Sequence, residues 1–269
     1  MSEMAAAGRL AQNHRLRRGI GILPSLFTVA NLSLGYYAVL STLRADAVSF
    51  DHAARAIGLA ILFDALDGRI ARATGTNSEF GKQFDSLADV VSFGVAPAFL
   101  AFTWGAGVFI TDQPGLAQNV YRLAIVVTAV FVACCAWRLA RFNIQGMAPG
   151  TEAKYFVGMP TPAAAGMIAA SVHALKQPVQ DWRFAVGWLI LVGLLAWLMT
   201  STIRYYGFKD ISLTRRRSSL IVIPLLFLGL GVVMFSEYVL LVLASSYLIS
   251  GVTLHAIRHF RRPKAAPAD

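Results

Sequence analysis

Apolar residues run through this chain in long blocks, each closed by a short cluster of charged residues, glycine or proline. A helix needs about 20 mostly apolar residues to cross a hydrocarbon layer of about 30 Å. Eight blocks qualify: 22–43, 52–73, 84–110, 119–143, 160–176, 182–206, 218–235 and 237–258. The last two meet at Ser236 and Glu237, and Pro224, Gly229 and Gly231 interrupt what would otherwise be a single run of about 40 residues, twice the need of one span. The pattern predicts an all-α, polytopic membrane helix bundle of about eight transmembrane helices. The first block is too long for a signal-peptide core and is followed by no small-x-small cleavage pattern, so it is expected to stay as an anchor.

Composition agrees with lipid as the solvent. Hydrophobic residues make up 57% of the 269 positions and charged ones 14%, against about 25% charged in an ordinary soluble domain. A net charge of +10 would suggest nucleic acid if the basic residues formed one patch, but they punctuate the apolar blocks instead. With the N-terminus inside, only Arg44, Arg55, Arg122, Lys176 and Arg183 of the 24 basic residues fall on the outer side. This bias places both termini in the cytoplasm and accounts for the charge with no nucleic acid partner. The expected organisation is a basic cytoplasmic segment (1–21), a core of six transmembrane helices (22–206), two additional helices (207–258) and a cytoplasmic tail (259–269). The first segment, with Arg9, Arg15, Arg17 and Arg18, suits either a helix on anionic headgroups or a free basic tail. Cys134 and Cys135 are adjacent, a spacing that suits neither a common disulfide nor a zinc knuckle.

Four carboxylates break the apolar pattern. Asp64 and Asp67 stand near the cytoplasmic end of the second block, and Asp85 and Asp89 at the cytoplasmic start of the third. A carboxylate at such a depth is costly, and function is its default reading. Spacings of three and four put each pair on one helix face, and a hairpin over 74–83 would bring the pairs to one level. Oxygen ligands with no histidine or cysteine nearby select hard cations, Mg²⁺, Mn²⁺ or Ca²⁺, and two such ions form a recurring clamp for phosphoryl chemistry. Gly68 and Gly81 leave room for a bulky substrate, while Arg69, Arg72 and Lys82 supply positive charge at the same level.

Written out, residues 64–89 read D-x-x-D-G-x-x-A-R-x8-G-x3-D-x3-D. This resembles the signature of the CDP-alcohol phosphotransferases, membrane enzymes that move a phosphoalcohol from a CDP-linked donor onto a hydroxyl. The resemblance implies that Asp64, Asp67, Asp85 and Asp89 bind two divalent cations, Mg²⁺ or Mn²⁺, with Asp89 also the general base. It implies that Gly68, Ala71, Arg72 and Gly81 shape the cytidine diphosphate pocket. Three further stretches look like the phosphatidylserine-forming branch of that family: residues 90–98, the run Arg138-Leu-Ala-Arg141-Phe142-Asn143, and residues 158–165, together with Pro24, Asn31 and Gly35 in the first block. On this likeness the donor is CDP-diacylglycerol, contacted by Asn31 as well, and the acceptor is L-serine, with Arg138, Arg141 and Asn143 at the acceptor. The implied setting is the inner membrane of a prokaryote, with the active site facing the cytoplasm, membrane lipids as partners and a homodimer as the candidate assembly.

Other readings stand beside these. The acceptor could be choline, glycerol 3-phosphate or inositol, although only an amino acid needs a partner for its carboxylate. From a different class, the carboxylates could form the cation site of a transporter, but such sites usually lie near the midplane between broken helices. Arg138 and Arg141 also satisfy topology alone, and Asn143 also suits a helix end. Pro160 and Pro162 read as the start of the fifth helix. His173 lies toward the face opposite the aspartates and reads as a packing or interfacial residue. Arg215, Arg216 and Arg217 read as solvated topology determinants.

Overall fold

The computed structural model describes residues 26–74, 78–107, 114–145, 155–206 and 235–260. These form helices α1 (Leu26–Thr42), α2 (Ala47–Thr74), α3 (Glu79–Gly107), α4 (Pro114–Gln145), α5 (Thr161–Leu175), α6 (Trp182–Thr200) and α7 (Ser236–Phe260). Two three-residue strands, β1 (Tyr155–Val157) and β2 (Arg204–Tyr206), pair antiparallel. Helices α3, α4, α6 and α7 each contain a stretch long and apolar enough to cross a membrane, while α1 and α5 are shorter apolar helices. Large side chains face outward throughout: Trp137, Phe184 and Trp197 are 68%, 73% and 59% exposed. A surface so apolar needs lipid around it, and the protein is a helical membrane protein.

Local chemistry starts the helices where the polar punctuation lies. The Asp46 carboxylate accepts from the Ser49 amide (2.9 Å) and hydroxyl (2.7 Å) before α2. Ser78 accepts from the Gly81 amide at 3.0 Å to cap α3, and Asp181 accepts from the Arg183 amide to cap α6. Pro162 lies in the first turn of α5, just after Pro160, as expected of residues that open a helix.

The sixth apolar block departs from expectation. It does not remain helical to residue 206: α6 stops at Thr200, and Tyr206, Tyr205 and Arg204 pair with Tyr155, Phe156 and Val157. The bundle is therefore not purely α. Aromatic residues favour such a paired surface, and Tyr205 is fully buried there. The turn after β1 needs Gly158, whose φ is +81° and whose missing side chain would meet the Met199 carbonyl at 2.6 Å. The seventh expected block, apart from its last residue Phe235, lies outside the described residues, as do the N-terminal segment 1–21 and the end of the tail.

Small residues set the close crossings. Ala53, Ala56 and Ala60 of α2 are buried, as are Ala164, Ala165 and Ala169 of α5, the helix packed against it. At Gly35 a side chain would meet the Ser92 Oγ at 2.4 Å and its Cα at 2.7 Å, so α1 crosses α3 almost backbone to backbone. The crossing falls on a π-helical turn, Val90–Val95, that begins directly after Asp89; a second such turn, Thr103–Gly107, ends α3.

Cross-helix bonds show that the helices alternate in direction. At one end Thr28 of α1 meets Asp67 of α2, Asn31 meets Asp89 of α3, and Arg138 of α4 meets Thr161 of α5. At the other end His173 of α5 bonds Asp51 of α2 and, at 2.9 Å, the Ser236 hydroxyl of α7, while Lys176 pairs with Glu237. His173 is thus a buried packing residue far from the aspartates along α2 and α5.

Candidate active site

Carboxylate oxygens of Asp64, Asp85 and Asp89 lie within 4.8 Å of one another. Asp64 comes from the last third of α2, and Asp85 and Asp89 from consecutive turns of α3. Asp89 is 8% exposed, and one oxygen accepts from the Asn31 Nδ2 at 3.1 Å. Asn31 is itself held: it is fully buried, and its carbonyl accepts from the Ser92 hydroxyl at 2.9 Å. Ser92 sits in the π-helical turn, so the α1–α3 crossing also fixes the orientation of Asp89.

Asp67, one turn beyond Asp64, is buried and accepts from the Thr28 hydroxyl. Three of the four expected aspartates thus gather tightly, with the fourth beside them on the same helix, anchored to α1.

This arrangement suits a hard cation. The Asp85 Oδ1 is buried without a hydrogen-bond partner, and so is the Asn31 Oδ1. A buried oxygen left unpaired costs free energy, and carboxylates this close repel one another unless a cation lies between them. An all-oxygen donor set matches Mg²⁺ or Mn²⁺ better than a soft metal.

Around the cluster, the other expected residues fall into different roles. Arg138 is 7% exposed, reaches the Thr161 Oγ1 at a long 3.5 Å, leaves its Nε buried and unpartnered, and lies close enough for its charge to act on Asp89. Arg141, one turn later, donates to the Thr200 carbonyl at 3.2 Å and the Val157 carbonyl at 3.3 Å, tying the end of α6 to β1. Asn143 donates to the Ser86 hydroxyl at 2.8 Å, joining α4 to the helix that carries Asp85 and Asp89. Gly81 sits in the α3 cap, where a side chain would meet the Ser78 Oγ at 3.0 Å. Gly68 is half-buried on α2; the side chains of Ala71 and Arg72 lie outside the described residues. Lys82 pairs with Glu79 at 2.6 Å on the exposed surface.

Thr28, Ser86, Ser92 and Thr161 are site residues that the sequence pattern does not single out. Each acts through a partner more than 20 positions away, and no local spacing announces such a contact.

A profile of the CDP-alcohol phosphatidyltransferase family matches residues 21–200. Among curated relatives, the CDP-diacylglycerol–serine O-phosphatidyltransferase of Helicobacter pylori strain J99 is 36% identical over 238 residues, 86% of this chain and 90% of the relative. The enzyme of the same name from Methanocaldococcus jannaschii is 39% identical over 149 residues, covering 55% of this chain and 61% of the relative. That from Saccharomyces cerevisiae is 34% identical over 160 residues, covering 56% and 53%.

Proposed function

Because the chain belongs to the CDP-alcohol phosphatidyltransferase family, and is therefore a transferase, we infer that it moves the phosphatidyl group of CDP-diacylglycerol onto L-serine, giving phosphatidylserine and CMP. The observation that carries this reading is the buried Arg138 guanidinium beside the Asp64, Asp85 and Asp89 cluster. A nucleophile that brings its own carboxylate into a buried site needs a cation to receive it, and a guanidinium receives a carboxylate through two parallel bonds. Choline and inositol carry no anion for this purpose.

Asp64, Asp67, Asp85 and Asp89 would hold two divalent cations, Mg²⁺ or Mn²⁺. Bound there, the ions would offset the charge of the donor diphosphate. Asp89 takes the proton of the serine hydroxyl while that oxygen bonds to the phosphorus carrying diacylglycerol. The phosphorus–oxygen bond to CMP breaks, and CMP leaves with the bonding pair. Asn31, bonded to Asp89, keeps the carboxylate aimed. Gly68, Ala71, Arg72 and Gly81, with Asn31, form the donor side of the pocket. Arg138 receives the acceptor carboxylate, while Arg141 and Asn143 complete that side by holding β1 and the start of α3. The bias of basic residues supports eight spans, cytoplasmic termini and a site open to the cytoplasm of a prokaryotic inner membrane, with diacylglycerol tails in the bilayer.

The test is acceptor choice. Purified protein in mixed micelles with CDP-diacylglycerol should form phosphatidylserine and CMP in equal amounts from labelled serine. Formation of the choline, inositol or glycerol 3-phosphate product in its place overturns the serine reading and leaves the family intact.

A further inference from the structure

Helix α7 lies beyond the 21–200 segment that defines the family, yet it is docked on the core at both ends. Ser236 and Glu237 bond to His173 and Lys176 at one end. Toward the other, Gly251 makes a socket for the ring of Tyr205: a side chain at 251 would come within 2.0 Å of that ring. Tyr205 in turn packs against Tyr247, with ring centroids 5.6 Å apart and planes tilted by 31°. Tyr247 is half-buried and rests on the apolar core.

On the inner side of this pair lies Arg138. Its one hydrogen bond to α5 is long, and its Nε is buried without a partner. Its charge acts on Tyr247 as well as on Asp89, which places the guanidinium between the phenol and the reacting carboxylate. A guanidinium has five donors in a fixed fork and many rotamers. A 3.5 Å contact to one hydroxyl is too weak to choose among them.

We propose that Tyr247 is a positioning residue for the acceptor, holding the Arg138 guanidinium in line with Asp89 and thereby setting the affinity for the serine carboxylate. The proposal rests on Arg138 being the acceptor's partner. It makes α7 part of the acceptor site, so that this helix, outside the family core, contributes to acceptor choice. The phenol oxygen accepts from the guanidinium, and the socketed Tyr205 ring stops Tyr247 from swinging away.

The experiment compares Tyr247→Phe, Arg138→Gln and the double variant, varying serine at saturating CDP-diacylglycerol and then the reverse, with melting temperature followed in detergent. Tyr247→Phe keeps the ring and its packing. It should raise the serine KM on the order of 10-fold, the scale of one lost buried hydrogen bond, and leave the donor KM within about 2-fold. The double variant should be no worse for serine than Arg138→Gln alone, because both changes remove one arrangement. Tyr205→Phe, which keeps the ring that blocks Tyr247, should leave both KM values unchanged. A serine KM unaltered by Tyr247→Phe but raised by Arg138→Gln overturns the role of Tyr247. Equal rises in both KM values with a lower melting temperature also overturn it, in favour of packing alone. A serine KM unaltered by Arg138→Gln overturns the acceptor reading beneath it.

Discussion

Asp89 carries two roles that one substitution can separate. Asp89→Asn keeps the shape and the place beside Asn31 but loses the basic oxygen. The rate should fall by roughly 10²-fold or more, the usual scale of general-base catalysis, with donor affinity little changed. Asp64→Asn, which removes a charge that only binds, should weaken cation and donor together. Titration of Mn²⁺ and donor binding beside turnover checks both, and equal loss of donor binding in the two variants would make Asp89 a ligand only. The aspartates were legible because helix spacing alone puts each pair on one face. Their supports were not: Asn31 reaches Asp89 across 58 positions, and the Arg141 bonds end on backbone carbonyls, which carry no side-chain signature. The same two arginines looked equivalent in sequence because a spacing of three says they share a face but not what that face meets.

At the scale of elements, the crossing of α1 over α3 is the joint that aims the site. Gly35→Val would drive a side chain into Ser92 and overpack the crossing, at a cost of about 1–3 kcal/mol. Because Ser92 also holds Asn31, turnover should fall further than the loss of folded protein explains. Activity per folded molecule, with folding followed by size-exclusion chromatography, checks this; activity falling only in step with folding would make the glycine a packing residue alone. Hydropathy located every described helix, since lipid-facing and core-facing residues are both apolar and leave long runs. It could not locate the π-helical turns, because the composition of Val90–Val95 is that of any apolar helix. Nor could it end α6 at Thr200, since Tyr205 and Ile203 are as apolar as the helix before them and differ only in what they pair with.

For the whole molecule, one prediction is loss of CMP release on chelation and its return with Mg²⁺ or Mn²⁺; undiminished turnover in excess chelator would remove the cations from the reaction. A second concerns the opposite end of the bundle. His173→Ala would strip Asp51 and Ser236 of a shared partner and should cost about 1–3 kcal/mol, lowering the melting temperature while both KM values stay unchanged; an altered serine KM would mean that the two ends communicate. Those two polar ends also make the enzyme a gauge. Asp51 and Asp64 stand on one unbroken helix, α2, and at 1.5 Å per residue they are held about 20 Å apart. A rigid rod of that length fits a limited range of bilayers: thicker membranes draw either the His173 bonds or the aspartate cluster into hydrocarbon, and thinner ones leave apolar side chains in water. Turnover in vesicles of graded acyl-chain length should therefore pass through a maximum, so that a phospholipid-making enzyme would respond to the thickness of the membrane it helps to build.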